Sequence, residues 1–180
     1  SPLATMKKSL LVLAILALTT GIVSAFDTTA LQLGIWAPNV QLVPPEISIT
    51  GVKINLPYGS NCQITGLDIG LVSISNDQGT ELEARVAALQ LNLFNSTSGS
   101  FSGIQAGLVN LSDTSNGIIF GLVNSATTRC SGIEFGLINT SLEFRGLAVG
   151  LVNYTEFLEG VQIGLVNIAT RSTLPFFPFI

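Results

Sequence analysis

The sequence of 180 residues contains no histidine and only two cysteines, and charged residues make up just 10% of it. The absence of histidine excludes Ser-His-Asp and Cys-His nucleophile systems and zinc sites built on histidine. The sequence also has no CxxC pair, no P-loop and no dinucleotide-binding fingerprint. We therefore expect a protein that is not an enzyme, with no catalytic, cofactor-binding or metal-binding residues and no cofactor.

Two groups of acidic residues are the remaining candidates for chemistry. The first is Asp77, Glu81 and Glu83, which lacks the alternating ligand pattern of a calcium loop and is interpreted as a solvated turn. The second group lies in or near neighbouring turns and comprises Glu134, Glu143, Glu156 and Glu159. A glycosidase needs two carboxylates at a defined separation, which nothing in the sequence sets. We assign neither group a catalytic role.

Basic residues are few and widely spread. The chain has seven lysines and arginines against eleven aspartates and glutamates, a net charge of −4. Recognition of a phosphate backbone depends on clustered basic side chains. We therefore expect no nucleic-acid partner.

The N-terminal segment has the three-part layout of a secretory signal peptide. Lys7 and Lys8 precede an apolar run from Leu10 to Leu18, and the small residues Val23 to Ala25 precede Phe26. The apolar run is shorter than the ~20 residues that a membrane-spanning helix needs. We predict cleavage before Phe26 and export of the mature chain.

The main feature of the rest of the sequence is a repeated Gly-Leu-Val/Ile-Asn tetrapeptide. It occurs at Gly107–Asn110, Gly121–Asn124, Gly136–Asn139, Gly150–Asn153 and Gly164–Asn167. Successive glycines are 14, 15, 14 and 14 residues apart. So short a unit holds about one strand and one turn, and it cannot bury its own apolar face. The repeats must therefore stack on one another.

Related units extend the repeat upstream and define the organisation of the chain. GVKINLPY, GLDIGLVS and ALQLNLFN begin at residues 51, 66 and 88, and residues 32–35 are a degenerate first strand. The predicted segments are residues 1–25 (upstream residues and cleaved signal peptide), 26–50 (N-terminal cap), 51–173 (β-repeat array with an insertion around 74–87) and 174–180 (hydrophobic C-terminal cap).

Alternate positions within each unit are apolar, which indicates strands. A repeat of one strand favours an all-β, parallel β-solenoid with 14–15 residues per turn. Equivalent residues would then stack in ladders, one of leucines and one of asparagines whose amides bond along the axis. The leucine ladder, predicted to face inward, is Leu108, Leu122, Leu137, Leu151 and Leu165. The asparagine ladder is Asn110, Asn124, Asn139, Asn153 and Asn167.

The alternative is an antiparallel outer-membrane β-barrel. A strand of about ten residues matches the length of a membrane-spanning strand. Its lumen would be lined by glycine and valine with an occasional glutamine or glutamate, which is unsuited to a water-filled pore.

An inward leucine ladder would leave an outward apolar stripe, formed by Val109, Val123, Ile138, Val152 and Val166. Exposed apolar stripes mark contacts with a partner, a membrane or another part of the same fold. This stripe is the candidate contact surface for an unidentified envelope or surface partner, and membrane association is compatible with it.

Cys62 and Cys130 lie several repeats apart. Neighbouring strands are separated by ~4.8 Å, so in a parallel stack the two α-carbons would exceed the ~7 Å limit for a disulfide. We predict two partly buried thiols that are not bridged.

The repeats and the flanking segments resemble a bacterial family of surface repeat-containing proteins, some of which are lipoproteins. The resemblance rests on Gly-x-x-x-Gly-Leu-x-Asn, on Asn55–Gly59 with Gly66–Gly70, and on Leu174–Phe177. It covers nearly all of the mature chain. It implies location in the bacterial envelope, at the outer membrane or cell surface, and implies no established activity. The lipoprotein members have a cysteine at the cleavage site, which this chain lacks.

The sequence thus predicts an exported, non-enzymatic envelope or surface repeat protein that serves as a structural or interaction surface. The alternative function is that of an outer-membrane β-barrel with a porin-like or assembly role.

Overall fold

The computed structural model describes residues 28–77 and 83–171. The predicted signal segment (1–25), the predicted C-terminal cap (174–180) and Glu81 lie outside these residues. In the described ranges the chain forms ten strands: β1 Thr28–Trp36, β2 Val40–Gln41, β3 Ser48–Ser60, β4 Gln63–Ser75, β5 Ala84–Ala106, β6 Val109–Phe120, β7 Val123–Phe135, β8 Ile138–Val149, β9 Val152–Ile163 and β10 Val166–Ala169. No helix long and apolar enough to cross a membrane is present in this part of the chain.

The strands stack as a β-solenoid of about eight turns. From β3 to β10 each strand pairs in parallel with the next, β1 pairs in parallel with β3, and β2 lies antiparallel on the outer edge of β1. The predicted parallel solenoid is confirmed. The antiparallel alternative is wrong, because consecutive repeats run in the same direction.

The observed register agrees with the sequence alignment of the repeats. Gly66 pairs with Ala88 and Gly70 with Asn92, so the extra residues between β4 and β5 do not disturb the stacking on either side of them. Gly34 pairs with Asn55, which confirms that residues 32–35 form the first strand of the stack.

The predicted asparagine ladder is present inside the solenoid. Each amide Nδ2 donates to the Oδ1 of the asparagine one turn on, over 2.7–2.9 Å, from Asn95 through Asn110 and onward to Asn167. Asn110 Nδ2 also donates to the carbonyl oxygen of Phe120, 2.8 Å away, which ties each asparagine to the end of its own turn. The repeating glycine allows this packing: a Cβ at Gly121 would lie 2.4 Å from Asn124 Oδ1.

The predicted orientation of the leucine ladder is wrong. The five leucines face outward and are 46–57% exposed, whereas the asparagines two positions further on are buried. The reason is a bend at Gly107–Leu108 and its equivalents, which places two successive residues, Leu108 and Val109, away from the interior. Period-two alternation holds along a straight strand but loses its phase at each corner.

Neither cysteine is part of a disulfide, and both are buried. Cys130 lies beside Phe144 of the next turn, within an apolar cluster that also contains Ile119, Ala126 and Ala148. The prediction of two unbridged thiols is confirmed.

Candidate interaction surface

One side of the solenoid presents columns of apolar side chains, each formed by residues that stack from turn to turn. The first column is Leu31, Val52, Leu67, Leu89, Ile104, Ile118, Ile133, Leu147 and Val161. The second is Leu33, Ile54, Ile69, Leu91, Ala106, Phe120, Phe135, Val149 and Ile163. The third is Ile35, Leu56, Leu71, Leu93, Leu108, Leu122, Leu137, Leu151 and Leu165. We call these three columns the apolar face.

Every side chain of the apolar face is aliphatic or aromatic, and none can ionise. Ile104 of the first column, Phe120 of the second and Leu122 of the third are each 43–47% exposed. The rings of Phe120 and Phe135 stack along the second column, with centroids 5.2 Å apart. With strands spaced ~4.8 Å apart and residues ~3.3 Å apart, the face measures roughly 38 Å by 13 Å.

The stripe predicted as the contact surface lies at the border of this face. Val109, Val123, Val152 and Val166 are half-buried, and only Ile138 is more exposed, at 42%. They follow the leucine column directly and face away from the interior beyond the same corner. The stripe is thus a border column of the apolar face. It was predicted as the main contact surface on the assumption that the leucines face inward. The larger exposed surface is formed by the leucines and the residues before them.

Beyond the apolar face the exposed side chains are mixed, with charged residues beside apolar ones such as Leu142 and Phe157. Arg129 pairs with Glu143 at 2.7 Å, and one turn on Arg145 pairs with Glu159 at 2.9 Å. Both pairs are partly exposed and add little to stability, because water screens them. The solenoid therefore has a charged side and an uncharged side.

The interior contains an unusual number of polar groups. Lys53, Asp68 and Gln90 occupy successive turns of one buried column, next to the asparagine corner. The Asp68 carboxylate accepts hydrogen bonds from Asn55 Nδ2 at 2.7 Å, Ser73 Oγ at 2.6 Å and Gln90 Nε2 at 2.8 Å.

Lys53 reaches this network through Ser73, whose hydroxyl accepts from Lys53 Nζ at 3.0 Å. Burial lowers the pKa of Lys53 below its usual range, an effect that the negative charge of Asp68 opposes. The network gives the buried Asp68 and Lys53 side chains polar partners, and Lys53 has no exposed surface. We interpret it as structural, since a substrate could not reach it.

Glu134 lies further along the same column, between Ile119 and Ala148 of the adjacent turns. Its apolar surroundings raise its pKa to about 7, and the hydrogen bond from Cys130 only partly offsets this. Burial also raises the pKa of the Cys130 thiol, and the neighbouring Glu134 adds to this effect. A thiol held protonated is a poor nucleophile, so the pair has no sign of catalytic activation.

The remaining acidic candidates come together only in part. Glu143 and Glu159 line one surface depression, where each pairs with an arginine, whereas Glu134 is inside the solenoid. Asp77 and Glu83 line a shallow surface depression with Asp113. Across residues 28–77 and 83–171, no group of three or more potential ligands is placed to hold a metal ion.

The fold and the apolar face define the class to which this chain belongs, a short-repeat parallel β-solenoid with one uncharged apolar side. No known protein family, curated protein or solved structure matches the chain.

Proposed function

We propose that this chain is an exported, non-enzymatic repeat protein of the bacterial envelope or cell surface whose apolar face serves as an interaction or structural surface. The observation that carries the proposal is the inverted distribution of polarity. The interior contains Lys53, Asp68, Glu134 and the asparagine ladder, while apolar side chains cover one outer side.

The area of the apolar face sets how much free energy its burial could contribute. Burial of apolar surface is worth about 25 cal/mol per Å², and the largest apolar patch on a typical monomer covers about 300–600 Å². The projected area of the apolar face alone is roughly 500 Å², before the relief of its side chains is counted. An uncharged patch at the upper end of this range is often functional, which supports contact with another molecule.

Two sequence features support location in the envelope. The first is the signal-like segment before Phe26, and the second is the resemblance to bacterial surface repeat-containing proteins. The repeats offer a rigid array for such a role, because each turn is held by its neighbours.

The test is to express the full chain with its own N-terminal segment in a bacterial host, then fractionate the cells. Mass spectrometry should find a mature N-terminus at Phe26. We expect the mature protein to occur in association, either with membranes or in a particle larger than one chain.

The L122Q/L137Q double variant makes the centre of the leucine column polar and should release single chains from this association. L142Q is the matched control, because Leu142 is 38% exposed but lies on a polar turn. Unprocessed protein in the cytoplasm would contradict the predicted export. A wild-type protein that stays a single chain, unattached to membranes, would contradict the role of the face.

A further inference from the structure

We infer that the apolar face binds the same face of a second copy of this chain, so that the protein forms a two-fold symmetric dimer. The inference rests on the proposed function and names the partner of the proposed surface. Four properties of the face carry it: its charge, its periodicity, its area and its symmetry.

The charge pattern favours a protein surface over a bacterial membrane. Adsorption to anionic lipid relies on basic side chains around an apolar surface. None of the five described basic residues lies in the three columns. Lys53 is buried, Arg129 and Arg145 pair with glutamates, and the exposed Arg85 and Arg171 are a single charge at each of two separate places. With a net charge of −4, the chain as a whole would be repelled by such lipid.

The periodicity of the face matches that of a second copy. Its side chains repeat along the solenoid at the strand spacing of ~4.8 Å, which leaves grooves of the same period between them. An identical face has ridges and grooves of equal spacing, so the two sets interdigitate over the full length rather than at one point. Paired sheets with such dry, interdigitated side chains are among the most stable β interfaces.

The area is adequate for a stable dimer. The three columns project roughly 500 Å², against ~800 Å² of accessible surface per partner in a standard interface. The accessible surface of a ridged face exceeds its projection, so the two quantities are comparable. Two sheets packed in this way lie about 10 Å apart, as in a β-sandwich.

Symmetry identifies one residue at the centre of this interface. The axis of a face-to-face dimer lies in the interface, and it passes through the centre of the face when the two copies overlap fully. Each column has nine members, and Ala106 is the fifth member of the middle column. Any such axis therefore places Ala106 opposite its own equivalent. Along the column Ala106 lies between the larger Leu91 and Phe120.

The experiment uses sedimentation velocity on the mature protein, secreted from the full chain. Wild type should be a dimer at micromolar concentration. A106K and A106E should each raise the dimer dissociation constant by roughly 100-fold or more, because like charges would meet in an apolar interface. An equimolar mixture of the two variants should form a heterodimer, since the opposed charges now attract. L142K is the matched control and should remain a dimer.

Recovery in the mixture also shows that both variants are folded. A wild-type protein that is monomeric overturns the inference, and so does a dimer that A106K leaves unchanged. Flotation with vesicles of phosphatidylethanolamine and phosphatidylglycerol separates the remaining cases. A monomer that floats with the vesicles, or that is bound only to a different protein, overturns self-pairing and leaves the proposed function intact. A monomer that associates with nothing overturns both.

Discussion

The turns after Gly103 and the turns before Asn95 fill the same interior positions in different ways. Downstream, every turn places glycine before the corner and asparagine after it. Upstream the order changes: Asn55 stands in the glycine position and Gly59 in the asparagine position. A Cβ at Gly59 would lie 1.7 Å from Asn55 Oδ1, so the Asn55 side chain takes the space that a side chain at position 59 would need.

The next two turns show the same compensation along the stack. Gly70 and Ser73 are both small, and the following turn has asparagine at both positions, Asn92 and Asn95. A Cβ at Gly70 would lie 2.6 Å from Asn55 Cβ, so a small residue there makes room for its larger neighbour. The corner therefore limits the combined volume of the side chains at the two positions and requires that their hydrogen bonds be made. It does not require a particular residue at either position. The regular downstream turns are one solution, and the irregular upstream turns are another.

The largest expected effect comes from a substitution in the regular downstream turns. A second column of stacked glycines runs through them, formed by Gly103, Gly117, Gly132, Gly146 and Gly160. Gly132 has φ +123°, and a Cβ there would lie 2.1 Å from the carbonyl oxygen of Gly117. G132A should lower the free energy of unfolding by at least about 3 kcal/mol, since it combines backbone strain with a steric clash. Urea unfolding followed by circular dichroism measures this.

The upstream half offers the control for this column, because Ala88 occupies the same position one turn after Gly66. A88G should cost only about 1 kcal/mol, from chain entropy and a lost methyl contact. If G132A and A88G had equal effects, Gly132 would be no more constrained than the position of Ala88.

The second prediction tests the upstream polar network. D68N removes the carboxylate that accepts three hydrogen bonds and leaves Lys53 buried without an opposing charge. The variant should be about 3–5 kcal/mol less stable at pH 7 by urea unfolding. K53M/D68N should recover part of this loss, because no charge is then left unpaired. A double variant no more stable than D68N would show that the two charges are not coupled.

The third prediction concerns Glu134, which lies downstream in the buried column of Lys53 and Asp68. Removing its charge should raise the stability of the protein, whereas removing that of Asp68 should lower it. The pKa of Glu134 is about 7 in the folded protein against 4.5 unfolded, so the folded state binds more protons between these values. The contribution of Glu134 to stability should therefore be greatest below about pH 4.5 and be lost as the pH rises through about 7. The difference of 2.5 in pKa corresponds to about 3 kcal/mol.

E134Q isolates this contribution from that of other groups. At pH 8 it should be more stable than wild type by up to about 3 kcal/mol, and near pH 4.5 the two should be similar. Unfolding free energies measured across this pH range check the prediction. An E134Q difference that does not change with pH would contradict it.

The smallest expected effect concerns the ladder itself. N124A removes the bonds to Asn110 and Asn139 and leaves the buried Oδ1 of Asn139 without its donor, so we expect a loss of about 2–3 kcal/mol. Upstream, N92A likewise removes the donor to the buried Oδ1 of Asn95, but Asn92 Oδ1 itself accepts no hydrogen bond within the described residues, so N92A should cost less, about 1–2 kcal/mol. Thermal unfolding of both variants tests this order, and a larger loss for N92A would reverse it.

Part of the fold could be predicted because the repeat specifies it locally. A unit of one strand can stack only in parallel if equivalent residues are to meet, and the meeting of Asn110 with Asn124 follows from their spacing of 14 residues. The register also followed, since the glycine positions align even across the insertion, where Gly66 pairs with Ala88. The absence of histidine likewise excludes histidine-dependent chemistry on composition alone.

The candidate surface could not be predicted correctly from alternation alone. Leu108 and Asn110 are two residues apart, and on a straight strand they would share a face. Whether Leu108 points in or out depends on the bend at the corner, and that bend is set by packing of glycine against the asparagine amides. The sequence pattern also gave little indication of the buried Lys53 and Asp68. Their only signal was that charged residues interrupt the apolar repeat at the same position in adjacent turns.

The sequence by itself determined that strands of this chain stack in parallel, in which register, and that asparagine amides bond along the axis, because these depend on a repeat period and on local hydrogen bonding. Only the tertiary structure decided which side of each turn is interior. A solenoid closes through corners, and each corner shifts the phase of the alternation. The result here is an interior that holds polar columns beside two apolar clusters, with an apolar face outside.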